Sequence, residues 1–244
     1  MKRAVAAVLA VMTLLTLLSG CAQTKHYIKP EEFQIYYYPQ SKDDTTQFAA
    51  GTNSLQIIMN TPTVEAGTGK ISIYKMSDDS LFAQYDIRTD KNIYVKTDNT
   101  AVSSTIVVLL TDNKVFEPGE SYYVTIDEKT FYVNDLGGFS GAVNKGDWVI
   151  HIANFGIDGN INDLPDTYLV GDTIELPILV NDPAAQAVLT IADETYFGAE
   201  TRSLSSTGKF EVTAKKAGTS QVSIMYLDKD GKWLDSTLFT FTVK

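Results

Sequence analysis

From residue 33 onward apolar and polar residues alternate with a period of two, and no helical period persists over eleven residues. Leu55, Ile57 and Met59 alternate with Gln56 and Asn60. Ile71 and Ile73 alternate with Ser72 and Tyr74 before a turn at Ser77-Asp78-Asp79. Residues 106–110 are apolar throughout, the pattern of a strand covered on both faces. Tyr122, Val124 and Ile126 share one face of a strand, and Trp148, Ile150 and Ile152 share one face of another. The run Tyr36-Tyr37-Tyr38 sends Tyr37 to the face opposite Tyr36 and Tyr38.

The alternation lapses over residues 154–166 (NFGIDGNINDLPD), whose Gly, Asn, Asp and Pro predict an interdomain linker. It then resumes. Ile174, Leu176, Ile178 and Val180 face one way, and Pro177 among them predicts an edge strand or a bend. Phe210, Val212 and Ala214 alternate with Glu211 and Thr213. Val222, Ile224 and Tyr226 lead into Lys229-Asp230-Gly231, an Asp-Gly hairpin signal, and residues 238–243 form a last strand. Short strands with such turns between them predict an all-β chain of two tandem sandwiches, residues 33–153 and 167–244.

The first twenty residues follow another rule. Met1-Lys2-Arg3 is basic, and residues 4–18 carry no charge. As a helix those 15 residues span about 23 Å, short of the roughly 30 Å apolar core of a bilayer, so they predict a signal peptide and not a membrane span. Leu18-Ser19-Gly20-Cys21 follows: a branched apolar residue, two small residues and then the chain's one Cys. This resembles the lipobox of bacterial lipoproteins. The resemblance implies lipidation of the Cys21 thiol, cleavage before Cys21 and stable anchoring through two or three acyl chains. Ala22, which is not Asp, implies export to the outer membrane in a two-membrane cell. In a one-membrane cell the protein would stay on the outer face of the membrane. Residues 21–32 read as a polar tether. Removal of residues 1–20, which include Lys2 and Arg3 and no acid, leaves 224 of the 244 residues and takes the net charge from −10 to −12. Such a balance opposes nucleic-acid binding and repels an anionic lipid surface. A single Cys also excludes an internal disulfide or a Cys-based zinc site.

Two further resemblances concern the sandwiches. Gly67-Thr68-Gly69-Lys70-Ile71-Ser72-Ile73-Tyr74, Phe116-Glu117-Pro118-Gly119-Glu120-Ser121-Tyr122-Tyr123-Val124, Asp135-Leu136-Gly137-Gly138-Phe139-Ser140-Gly141 and Asp147-Trp148-Val149-Ile150 resemble the Ig-like domain of bacterial surface-layer and cell-wall proteins. Phe139 stands where that family more often has Asn. Within this pattern Tyr122 occupies the place of a tyrosine corner, whose hydroxyl bonds back to turn backbone, and Tyr122 and Trp148 are the structural residues. Val170-Gly171-Asp172-Thr173, then residues 208–214 and Ala217-Gly218-Thr219-Ser220-Gln221-Val222-Ser223-Ile224, resemble the group-2 bacterial Ig-like domain of invasin- and intimin-type adhesins. Residues 182–204 depart from that pattern.

Candidate chemistry is sparse. His26 lies in the tether. His151 faces outward if Trp148 faces inward, and two such histidines support no Ser-His-Asp arrangement. Asp43-Asp44, Asp78-Asp79 and Asp127-Glu128 fall at turns and strand ends, where Asp forms turns, and a glycosidase would need two carboxyls in one cleft. Asp158, Asn160 and Asn162 alternate like the first three ligands of a calcium loop. Asp163 then stands where Gly is needed and Leu169 where Glu is needed, so an Asx-turn linker is favoured over calcium. Tyr36-Tyr38 reads as sandwich packing, with a sugar-stacking shelf as the alternative. No Gly-rich phosphate loop precedes a helix, and no cofactor is implied. The sequence thus predicts a non-catalytic, lipid-anchored surface protein presenting Ig-like domains for adhesion, binding or spacing, its ligand a protein or a glycan. The alternative is a glycan-binding lipoprotein of a polysaccharide-handling system.

Overall fold

A computed structural model describes residues 34–44, 46–61, 64–98, 103–110, 114–133, 143–159, 164–165, 167–181 and 186–244. The signal peptide, Cys21, the tether with His26, residues 135–141, Asn160, Asn162 and Asp163 lie outside them.

Among the described residues there are nineteen strands and no helix. In chain order they are β1 (Ile35–Tyr38), β2 (Phe48–Ala50), β3 (Ser54–Met59), β4 (Val64–Ala66), β5 (Lys70–Lys75), β6 (Leu81–Asp86), β7 (Ile93–Asp98), β8 (Ser103–Leu109), β9 (Ser121–Ile126) and β10 (Phe131–Val133). There follow β11 (Val149–Ile157), β12 (Thr167–Tyr168), β13 (Thr173–Val180), β14 (Gln186–Ile191), β15 (Phe197–Gly198), β16 (Ser203–Leu204), β17 (Gly208–Ala214), β18 (Gly218–Leu227) and β19 (Trp233–Val243). One sheet has the order β1-β3-β8-β7, and a small pair joins β10 to β4. A long sheet runs β15-β17-β13-β11-β9-β5-β6, with β2 also on β11, and a last sheet runs β12-β19-β18-β14-β16.

Period-two patterning explains the first core. Leu55, Ile57 and Met59 of β3 and Ile106 and Val108 of β8 are all at most 1% exposed. They share one apolar cluster with Ile71, Ile73, Val124 and Ile150 from β5, β9 and the start of β11, and with Trp148 just before β11. Buried aromatic side chains carry the largest share of such a core, each removing about 150–250 Å² from water. The second core is built the same way. Ile174, Leu176 and Ile178 of β13, with Phe210 and Val212 of β17, join Val222, Ile224, Tyr226, Phe239 and Phe241 of β18 and β19.

Two expectations are corrected. Residues 154–157 are not linker: β11 runs without a break from Val149 to Ile157. Val149, Ile150 and His151 pair with β9, while Phe155, Gly156 and Ile157 pair with β13. Loop-like composition was overridden because both sandwiches offer this segment a strand to pair with. Nor is β13 an edge strand, since it lies between β11 and β17. Pro177 is tolerated because it sits just past the last β11 rung, where its carbonyl still accepts the Asp158 N–H at 3.0 Å. Its missing N–H therefore costs no bond to β17.

Candidate functional site

The leading strand changes sheets within a few residues. Tyr36 pairs with Ile58 on β3, but beyond the cis Tyr38-Pro39 bond the Ser41 N–H donates to the Val149 carbonyl of β11 at 2.8 Å. Trp148 holds this crossing. Its Nε1–H donates to the Pro39 carbonyl at 2.6 Å, and its ring stacks on Tyr37 with centroids 4.6 Å apart. Burial, helped by the charge of Asp147, pushes the Tyr37 hydroxyl above the usual phenol range.

Turning Tyr37 inward leaves Tyr36 and Tyr38 outward, 57% and 47% exposed. The Tyr36 hydroxyl donates to Gln34 Oε1 at 2.8 Å, and the Tyr38 ring meets Phe48 edge-on at 5.6 Å. A third open aromatic, Trp233, is 58% exposed at the start of β19. Rings of this kind present an apolar face and a polar rim, which suits partial exposure at a binding surface.

Tyr122 performs a different task. The Glu117 N–H donates to its hydroxyl oxygen at 2.9 Å, across the Pro118-Gly119 turn in which Gly119 has φ +73°. The ring itself packs between Phe116 (4.7 Å) and Phe82 (4.9 Å), and burial raises its pKa well beyond the phenol range. A buried hydroxyl that satisfies a turn amide fixes the loop before β9.

The structure also assembles a group that sequence reasoning set aside. His151 is on the outward side of β11, but its Nδ1 lies 2.8 Å from Ser121 Oγ. Its backbone N–H donates to Ser41 Oγ at 2.8 Å, and its Nε2 is 3.7 Å from Asp44 Oδ1. Ser41, Asp44 and His151, with Lys42, Met76 and Asp147, line a concavity of about 240 Å³. Acyl transfer needs a buried carboxylate bonded to the imidazole and backbone N–H groups aimed at the oxyanion. Asp44 is instead fully exposed and beyond hydrogen-bond reach. The contacts dock the segment after Pro39 onto β11. No sequence signal could have joined residues 44, 121 and 151.

A second concavity, of about 430 Å³, is lined by Thr173, Glu200, Thr201, Lys209, Glu211 and Thr213. Lys209 reaches Glu175 at 2.5 Å and Glu211 at 2.9 Å, and its bonds to these carboxylates hold its pKa above the usual lysine value. Exposed pairs of this type contribute little stability.

The paired acids mostly serve turns. Asp43 accepts the Thr46 N–H at 2.9 Å and Asp78 the Ser80 N–H at 2.9 Å, while Asp127 accepts the Lys70 N–H at 3.1 Å. Asp158 is exposed just past β11. Among the described residues no three His, Cys, Asp or Glu converge as a metal site. Asp235 belongs to no motif in the sequence. It sits two residues into β19, where an acid inside a strand was the available signal. Its Oδ2 accepts the Ala49 N–H at 2.7 Å, although the two residues lie 186 apart in sequence. Burial raises its pKa above the usual carboxylate range, against the lowering effect of the Ala49 and Ser236 amides.

No protein family matches this sequence, and no curated protein matches it. Solved structures do. The chain is similar to the fibronectin(III)-like modules of Clostridium thermocellum CbhA, at 10% identity and TM-score 0.24, over 86% of this chain and 94% of that one. Similarity to the Yersinia pseudotuberculosis adhesin InvE is 8% identity and TM-score 0.26, over 86% of this chain and 58% of that one. WR4, a member of the MSP family from C. elegans, covers 37% of this chain and 98% of its own at 10% identity and TM-score 0.30. The strand order, the two facing-sheet cores and the absence of helices among the described residues make this an all-β chain of immunoglobulin-like sandwiches.

Proposed function

We propose that the protein is a lipid-anchored, non-catalytic surface protein whose Ig-like sandwiches act as an adhesion, binding or spacer module. The observation that supports this most directly is the path of the chain. The lipobox-like Cys21 and the tether precede β1, which opens the first sandwich, and the second sandwich follows through β11 and β13. An anchor on Cys21 would thus hold the first sandwich toward the membrane and present the second. It would place the protein on the outer face of the cell membrane, or on the outer membrane where there are two. The test is membrane fractionation of the full chain carrying Cys21→Ala. Release into the soluble fraction is the expected result, and continued pelleting with membranes would sink the lipid anchor.

A second reading, glycan binding within a polysaccharide-handling system, is supported by the open rings of Tyr36, Tyr38 and Trp233. A glycan array probed with the full chain in detergent should then show signals lost in Tyr36→Ala. If signals are absent, or equal in that variant, the ligand is not a sugar stacked on β1.

A further inference from the structure

Two sandwiches joined by a loop ordinarily move relative to one another, because their contact is a modest side-chain interface. The contact here is made of backbone. β11 spans both bodies. Its first residues bond to β9 of one and its last residues to β13 of the other. β2 lies parallel along the same stretch, with Ile152 opposite Phe48 and Gly156 opposite Ala50. Bending between these two ladders would break the parallel pairing with β2, which spans Ile152 to Gly156.

The local sequence fits such a joint. A Cβ on Gly156, whose φ is +146°, would come within 2.2 Å of the Ala50 carbonyl oxygen and 2.3 Å of its nitrogen. Gly51, at φ +87°, brings its own backbone against Ile157, where a Cβ would stand 2.8 Å from the Ile157 Cβ. Both contacts require glycine in a conformation that other residues rarely adopt. The cores interlock as well. Ala49 and Ala153 belong to the apolar cluster of the second sandwich, whereas Ala50 and Leu179 belong to that of the first. One side chain closes the joint from the far side: Asp235 of β19 takes the Ala49 N–H with Oδ2 and the Ser236 N–H with Oδ1, both at 2.7 Å.

We infer that the two sandwiches are fused through β11 into one rigid arm, latched by the Ala49–Asp235 hydrogen bond. This goes beyond the function proposed above, since it holds whatever the arm carries and whether or not Cys21 is lipidated.

The test measures one distance across the arm. The full chain carrying Cys21→Ser, in detergent micelles, receives spin labels at Glu128→Cys and Lys216→Cys, two exposed turn positions in different sandwiches. Pulsed electron spin resonance should give a single narrow distance peak. Gly156→Val should broaden or split it. A broad or multiple peak in the chain without Gly156→Val overturns the proposal, and so does an unaltered narrow peak in a folded Gly156→Val variant. Should Gly156→Val fail to fold, Asp235→Ala decides by hydrogen exchange. The Ala49 amide should exchange about tenfold faster or more, while the amides of Ile57 and Val222 keep their protection. An Ala49 amide that exchanges at the same rate with and without Asp235 overturns the latch.

Discussion

The first sandwich splits its leading strand between two sheets and then ties its loops down with buried side chains. Trp148 bonds the Pro39 carbonyl, Tyr122 takes the Glu117 amide, and Thr130 donates to the Asp127 carbonyl at 2.7 Å. The second sandwich relies on length. β18 and β19, of 10 and 11 residues, pair over ten rungs, with Val222, Ile224 and Tyr226 alternating on the inner side of β18. Backbone polar groups must be satisfied wherever they are buried, and a long ladder does so by itself. Short strands separated by longer loops need donors and acceptors supplied from side chains instead. The two halves therefore carry their vulnerability in different places: at a few anchoring residues in one, along a hairpin in the other.

The strongest challenge to that contrast is removal of one core ring from each half. Trp148→Ala should cost about 3–5 kcal/mol, from lost burial together with the bond to Pro39, and Phe210→Ala a similar amount. Urea unfolding followed by the fluorescence of Trp233, which belongs to the second sandwich, reports whether the halves are separate. Because β11 is shared, Trp148→Ala should shift the Trp233 transition too. A Trp233 curve unmoved by Trp148→Ala would show two independent bodies.

Next in size is the joint residue. Asp235→Ala should cost about 1–3 kcal/mol by leaving the Ala49 amide without its acceptor. Asp235→Asn keeps an acceptor and removes a buried charge, so it should be neutral or stabilising at pH 7 in the same urea assay. The sign with pH follows. Asp235 binds its proton more tightly in the folded chain than in the unfolded one, so between the ordinary carboxylate pKa and its raised folded value the native state holds more protons. Stability from this group is therefore greatest below the unfolded pKa and declines as pH rises through the folded one. The Tyr38 and Tyr226 phenols that feel its charge stay neutral over that interval. Urea midpoints from pH 4 to 7 should fall less steeply in Asp235→Asn than in the unaltered chain.

Smallest is a matched pair of hydroxyl deletions. Tyr122→Phe should cost about 1 kcal/mol, since a turn amide loses its partner. Tyr226→Phe should cost about 0.5 kcal/mol or less, because that hydroxyl only reaches Thr237 Oγ1 at 3.5 Å. Equal losses in the urea assay would erase the distinction between anchored and laddered halves.

Much of the architecture could be read from alternation alone. The pattern separates Tyr37 from Tyr36 and Tyr38, turns Trp148 inward and marks the Asp230-Gly231 hairpin, and all of these are local consequences of a two-residue period. What escaped was set by partners distant in sequence. Asn154-Phe155-Gly156-Ile157 has the composition of a loop and becomes a strand only because β13 and β2 flank it. Pro177 has the look of an edge marker, yet its place just past the last rung depends on where β11 stops. Asp235 and His151 take their meaning from Ala49 and from Ser121 and Ser41, contacts that no spacing rule connects.

The two chain directions at the joint have a mechanical consequence. β1 runs toward the joint and β19 runs away from it, so Gln34 and Lys244 sit at opposite extremes. At about 3.3 Å per residue the 11-residue β19 alone carries the second body roughly 36 Å along from the joint. Wherever the first residues are held, the swing of the molecule is confined to its base. The far tip then patrols a thin shell at a set distance instead of filling the volume beneath it. A partner displayed at that distance meets a raised local concentration, while one lying closer is passed over.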